Sequence, residues 1–96
     1  MSTGTCDREA SGGRAAAEGP RELLEYLAEG LVDDPEEVRV EPFEGDDGTV
    51  VLELSVAPGD YGKVIGRGGR TAHALRTVVK AAATGEGCHV VVDIVD

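Results

Sequence analysis

An α+β fold, in which a three-stranded sheet carries its helices on one face, is the architecture this 96-residue sequence predicts. Three patterns predict it. Apolar residues first recur at helical spacing, then alternate with polar ones in two successive runs separated by an Asp-Asp-Gly turn. A helical pair around a Gly-x-x-Gly turn follows, and one more alternating run closes the order helix, strand, strand, helix, helix, strand.

The first helix is expected over about residues 21–30, with Pro20 at a first-turn position. Leu23, Leu24, Leu27, Ala28 and Leu31 give it one apolar stripe, and Asp33, Asp34 and Pro35 break it. Val38 and Val40 open a strand running to about Glu44, in which Pro42 calls for an edge position or a bulge. Asp46, Asp47 and Gly48 make the turn, and Val50, Leu52, Leu54 and Val56 alternate along an antiparallel partner strand. Pro58, Gly59 and Asp60 end it, with Asp60 as the expected cap of a short helix through Ile65.

The second helix of the pair is expected over about residues 70–83. Ala72, Leu75, Val78, Val79 and Ala82 form its buried face, and Arg70, His73, Thr77 and Lys80 lie largely on the other. Gly85, Glu86 and Gly87 stop it. Val90, Val92 and Ile94 then mark a final strand, central or edge. Val51, Val91 and Val95 fall on the barer sheet face, either as scattered surface residues or as part of a subunit contact.

Residues 1–19 are rich in Gly, Ala, Ser and charge without a periodic face, and read as a disordered leader before a folded domain at 20–96. Removing residues 2–18 is accordingly expected to cost little stability. The leader lacks the apolar centre of a signal peptide and no run of 18 apolar residues occurs, so a cytoplasmic location is expected. Cys6 and Cys88 are too few and too far apart to argue for a disulfide framework. His89 beside Cys88 is half of a zinc ligand set at most, and no metal or other cofactor is expected.

The most informative stretch is Gly62, Lys63, Val64, Ile65, Gly66, Arg67, Gly68, Gly69, Arg70 and Thr71. Gly66 and Gly69 permit a sharp turn between helices with no Cβ in the way of a phosphate, and Arg67 is placed to reach a phosphate oxygen. Lys63 and Arg70 flank the turn. Val64 and Ile65 precede it, Ile65 expected mostly in the core and Val64 the better placed to touch a base.

The net charge of −10 argues against a polyanion until its distribution is read. Residues 61–85 carry Lys63, Arg67, Arg70, Arg76 and Lys80 and no acidic residue, a segment of +5 against −15 elsewhere. One electropositive patch on a repelling surface localises a polyanion and makes its binding salt-sensitive. Arg76 and Lys80, further along the helix, are expected to add field more than contact. Three aromatic residues are too few for a base-stacking platform, so backbone, aliphatic and basic groups must do the recognising.

Enzyme classes fit poorly. No Walker A spacing, dinucleotide fingerprint or nucleophile arrangement is present, and the numerous carboxylates fall on presumed solvated surface. The chain is expected to be a binding protein and not an enzyme.

The run from Val64 to Gly69, an apolar pair followed by Gly-x-x-Gly, resembles the KH-domain signature, and the element order resembles its bacterial type II arrangement. Leu31-Val32-Asp33-Asp34-Pro35, Gly62-Lys63-Val64-Ile65-Gly66 and Ala74-Leu75-Arg76-Thr77 are similar to the small stand-alone KH proteins of the KhpA family, over about four fifths of the chain. This resemblance implies binding of single-stranded RNA, with about four unpaired nucleotides clamped between the turn and an aliphatic groove. Lys63, Val64, Ile65, Gly66, Arg67, Gly68, Gly69 and Arg70 would form the site. It further implies an RNA chaperone or post-transcriptional regulator that self-associates and pairs with a larger KH protein of the KhpB, or Jag, type. RNA versus single-stranded DNA stays open, since such a turn grips backbone and unpaired bases. The family often carries two longer or more polar residues where this chain has Arg67 and Gly68, and the freedom of Gly68 predicts weaker phosphate binding. The competing reading is a protein-interaction module whose fold serves mainly homo- or heterodimerisation. A neutral or acidic turn would mark it, whereas this turn carries Arg67.

Overall fold

The computed structural model describes residues 17–45, 47–85, 87 and 89–95. The leader up to residue 16, Cys6, Cys88, and the turn residues Asp46 and Glu86 lie outside these. The order of elements is α1 (Glu18–Glu29), a 3₁₀ turn (Pro35–Glu37), β1 (Arg39–Glu44), β2 (Val50–Ser55), a second 3₁₀ turn (Pro58–Asp60), α2 (Tyr61–Ile65), a third (Arg67–Gly69), α3 (Arg70–Gly85) and β3 (Val90–Ile94).

α1 starts earlier than the stripe alone implied. Ala17 is fully buried, and its carbonyl accepts the first helical hydrogen bond, from Arg21 N at 2.9 Å. Pro20 is therefore the last residue of the helix whose missing N–H costs nothing, and its buried ring joins the core. Residues 17–19 belong to the folded unit, which moves its edge inward of the expected leader. On the outer side of α1, Arg21 bridges Glu18 and Glu25, the latter at 3.2 Å. Hydrogen bonding to Arg21 holds the Glu18 carboxyl below its ordinary range and raises Arg21 in return.

The sheet order is β1-β2-β3. β1 runs antiparallel to β2 in unbroken register from Arg39 opposite Ser55 to Glu44 opposite Val50. Pro42 thus sits in an edge strand without a bulge, where a missing donor is tolerated. Between them Gly48 adopts φ 87°, and Thr49 N donates to Asp47 Oδ1 at 3.0 Å, which lowers the Asp47 carboxyl from its ordinary value. β3 pairs parallel with β2, Val50 beside Val90 through Leu54 beside Ile94, and so forms the second edge.

Alternation sends Val40, Val50, Leu52, Leu54, Val90, Val92 and Ile94 to one covered face. α3 packs on β3, and α1 packs on α3 and β1. Leu24 and Ala28 of α1 meet Ala72, Leu75, Val79 and Ala83 of α3 in this single core. Val78 is not among them: it is 47% exposed, displaced from the core side that its apolar character had suggested. Among the described residues no helix is long and apolar enough to cross a membrane.

Candidate nucleic-acid interface

α2 and α3 are joined by the turn Gly66–Arg67–Gly68–Gly69, and its backbone explains its glycines. Gly66 N closes α2 on Gly62 O at 2.8 Å, and Gly69 N bonds back to Gly66 O at 3.2 Å. Gly66 has φ 77° and ψ 174°, a region essentially closed to other residues. A Cβ there would stand 2.3 Å from Thr71 Oγ1, 2.7 Å from its Cβ and 2.9 Å from its N. Gly68 (φ 66°, ψ 17°) and Gly69 (φ 79°) are also left-handed, but a Cβ on either meets nothing within 4 Å. Gly66 is thus required by packing, whereas Gly68 and Gly69 form an open crest that a ligand backbone can approach.

This crest stands at the start of the sixteen-residue α3, at the positive end of its helix dipole. Arg67 and Arg70 are exposed beside it, and neither is ion-paired among the described residues. Lys63 differs. Its ammonium lies 3.5 Å from Asp33 Oδ2 and 3.8 Å from Asp60 Oδ1, so part of its charge is already answered.

Asp60 makes no capping bond to α2, contrary to the sequence expectation. It is 4% exposed, and its Oδ2 accepts the Asp34 backbone N–H at 3.0 Å, tying the segment after α1 to the start of α2. A bond across 26 positions leaves no local pattern, although the Asp60–Lys63 spacing of three was a visible hint of pairing.

Val64 and Ile65 exchange their expected places. Val64 is fully buried, a contribution of about 1.5–3 kcal/mol to the core, while Ile65 is half-buried at its margin and is the one with surface to offer a base. Arg76 and Lys80 line a groove of about 210 Å³ with Val90, Val91 and Val92. Arg76 Nε donates to Val92 O at 3.3 Å, which fixes the guanidinium over the β3 edge. Their four-residue spacing was the signal that both share one flank of α3. The opposite flank is apolar: Leu27 and Leu31 beside Thr71, Ala74, Leu75 and Val78 bound a groove of about 230 Å³. No group of three or more His, Cys, Asp or Glu among the described residues is arranged to hold a metal ion.

Residues 21–94 match the family model described as KhpA/KhpB, KH domain. The chain belongs to the KhpA/KhpB KH-domain family. Its α-β-β-α-α-β order is that of a type II KH domain. The chain is 53% identical over 75 residues to the RNA-binding protein KhpA of Clostridium acetobutylicum, covering 78% of this chain and 99% of that one. The RNA-binding protein KhpA of Halalkalibacterium halodurans is 56% identical over 75 residues, covering 77% and 96%. That of Aquifex aeolicus is 45% identical over 76 residues, covering 79% and 95%. A crystal structure of an Aquifex aeolicus Era variant bound to GDP and AlF4− matches with a TM-score of 0.53 at 19% identity. It spans 78% of this chain but only 29% of the Era chain, and that likeness concerns the fold alone.

Proposed function

We propose that this KH domain binds single-stranded RNA across the Gly66–Gly69 crest and acts as an RNA chaperone or post-transcriptional regulator. The observation that carries the reading is the open crest between two arginines, Arg67 and Arg70, neither ion-paired among the described residues, at the N-terminus of α3. Phosphates bind the crest backbone and the guanidinium groups, and about four unpaired bases lie against Ile65 and the groove of Arg76, Lys80 and Val90–Val92. Val64 supports this site from the core, and Lys63 joins it only by exchanging its carboxylate partners for phosphate. The proposed site is thus Lys63, Ile65, Gly66, Arg67, Gly68, Gly69 and Arg70, and the groove that Arg76 and Lys80 share with Val90–Val92 supports adding these two.

The test is a titration of fluorescent single-stranded RNA with the wild type and the Arg67→Asp/Gly68→Asp double variant, at two salt concentrations. Position 68 has open space and a left-handed backbone that Asp tolerates better than most residues, so circular dichroism is expected to show an intact fold. Binding is expected to weaken with salt and to fall at least about tenfold in the variant, as the loss of one or two charge-assisted bonds implies. Unchanged affinity refutes the site, and a DNA strand of the same sequence reports selectivity for the 2′-hydroxyl.

The α1–α3 groove favours a second role, assembly with another copy or with a KhpB-type partner. Leu31 (39% exposed) and Val78 (47%) leave an apolar strip that a second KH domain would bury. Pairing two domains raises RNA avidity through effective concentration. Sedimentation of the Val78→Glu variant checks this: a wild type already monomeric at high concentration removes the homodimer reading.

A further inference from the structure

The uncovered face of the sheet carries two rows of side chains that cross the strands. The pairing register sets Phe43 beside Val51 and Val51 beside Val91. Two positions along, it sets Glu41 beside Glu53 and Glu53 beside Asp93. Alternation places both rows opposite the buried Val40, Leu52, Leu54 and Val92. Phe43 is 48% and Val91 51% exposed, so the first row is an apolar strip in water.

The second row is three adjacent carboxylates. None of them is ion-paired among the described residues. Arg39, the basic residue nearest along β1, has its guanidinium turned to Glu36 O and Val38 O at 3.1 and 3.4 Å. Like charges opposite one another in a sheet destabilise it, and an exposed Phe-Val strip gains only about 0.2–1 kcal/mol per cross-strand pair while leaving apolar surface in water. The carboxylates are not arranged as a cation site. Face-to-face pairing with a second copy would stack this acidity against itself, and RNA is repelled by it. The complement is cationic and apolar at once.

We propose that this face docks a basic amphipathic helix of a partner protein. Strands about 4.8 Å apart make each row about 10 Å long, and two residues along a strand separate the rows by about 7 Å. Two helical turns span about 11 Å, so a helix laid across the strands presents apolar residues at i, i+4 and i+7 to Phe43, Val51 and Val91. Lys or Arg on its adjoining stripe meets Glu41, Glu53 and Asp93. The Gly66–Gly69 crest belongs to the helical layer on the other side of the sheet, so RNA held at the crest and such a partner bind together and meet only at Val91 on the β3 edge.

The experiment uses the full chain, ¹⁵N-labelled, and a synthetic amphipathic peptide of about four turns with a Leu stripe and an adjoining Lys stripe. Amide shifts are expected at residues 41–43, 51–53 and 91–93 and not at 66–70, with affinity falling as salt rises. A Glu53→Gln/Asp93→Asn variant is expected to bind the peptide at least about tenfold more weakly while its RNA titration is unchanged, since two charge-assisted contacts are lost. A peptide with Glu for Lys is expected not to bind. Shifts elsewhere, equal binding by the variant, or no binding at millimolar peptide overturn the proposal. Concentration-dependent broadening of the same amides without peptide assigns the face to a second copy and overturns it too. Because RNA is titrated separately, loss of RNA binding and loss of peptide binding are told apart.

Discussion

Replacing Gly66 with Ala tests the separation of a structural glycine from a ligand-facing one. The new Cβ falls 2.3 Å from Thr71 Oγ1, and rotating that hydroxyl away leaves Thr71 Cβ at 2.7 Å and backbone N at 2.9 Å. Backbone atoms cannot yield without shifting the first turn of α3. The backbone at φ 77°, ψ 174° adds about 1–3 kcal/mol of strain, and overpacking adds a similar 1–3. Against this, loss of glycine's freedom in the unfolded chain returns about 0.4–1 kcal/mol. The net is a destabilisation of about 1–5.5 kcal/mol, with a fall in Tm of about 4–8 °C for each kcal/mol lost in a domain this small. Gly69→Ala pays for its positive φ alone and is expected to lose about 1 kcal/mol. Thermal and urea unfolding followed by circular dichroism measure both. Equal stabilities for the two variants refute the distinction. A Gly66→Ala/Thr71→Ala pair as stable as Thr71→Ala would show that the hydroxyl alone was in the way.

Arg67→Gln is expected to flatten the slope of log affinity against log salt by about 0.7 for a single strand, whereas Lys63→Gln, losing a cation already facing Asp33 and Asp60, changes it by less; RNA titrations over a salt series decide. Asp60→Ala is expected to cost about 1–3 kcal/mol in urea unfolding, because the Asp34 N–H loses its acceptor, and Asp60→Asn, which keeps an acceptor oxygen, less than half of that. On the outer sheet face, Glu53→Gln relieves both carboxylate contacts at once and is expected to raise stability by about 0.5–1.5 kcal/mol; a fall would show that the acidic row stabilises the free domain.

How far the sequence carries depends on how many residues each signal averages over. β2 and α3 announce themselves because alternation and helical spacing recur through each of them. α2 has five residues, too few for periodicity to tell Val64 from Ile65, and the surrounding packing reversed them. Val78 departs from its pattern for a different reason: apolar character does not dictate burial, and α1 stops short of covering that flank of α3 and leaves the groove with Leu27 and Leu31. The position and direction of β3 follow from the pairing of Val50 with Val90, a contact between distant residues that no local pattern encodes. The turn was legible as a motif, but not which of its glycines serves the fold, because that rests on the distance from Gly66 to Thr71.

The acidic balance of the chain looks different once each charge has a place. Glu41, Glu53 and Asp93 stand on the outer sheet face, and Glu18 and Glu25 bracket Arg21 on α1, whereas Arg67, Arg70, Arg76 and Lys80 belong to the turn and to α3. Screening limits each charge to about 8 Å at physiological salt, less than the thickness of a helix laid on a sheet. A phosphate at the crest therefore senses the arginines and the N-terminus of α3 far more than the acidic face behind them. With RNA at the crest as proposed, the same acidity disfavours its approach to the outer sheet face. Net charge is then no measure of affinity here. Adding lysines to the outer face is expected to strengthen non-specific adhesion and to weaken the preference for the crest.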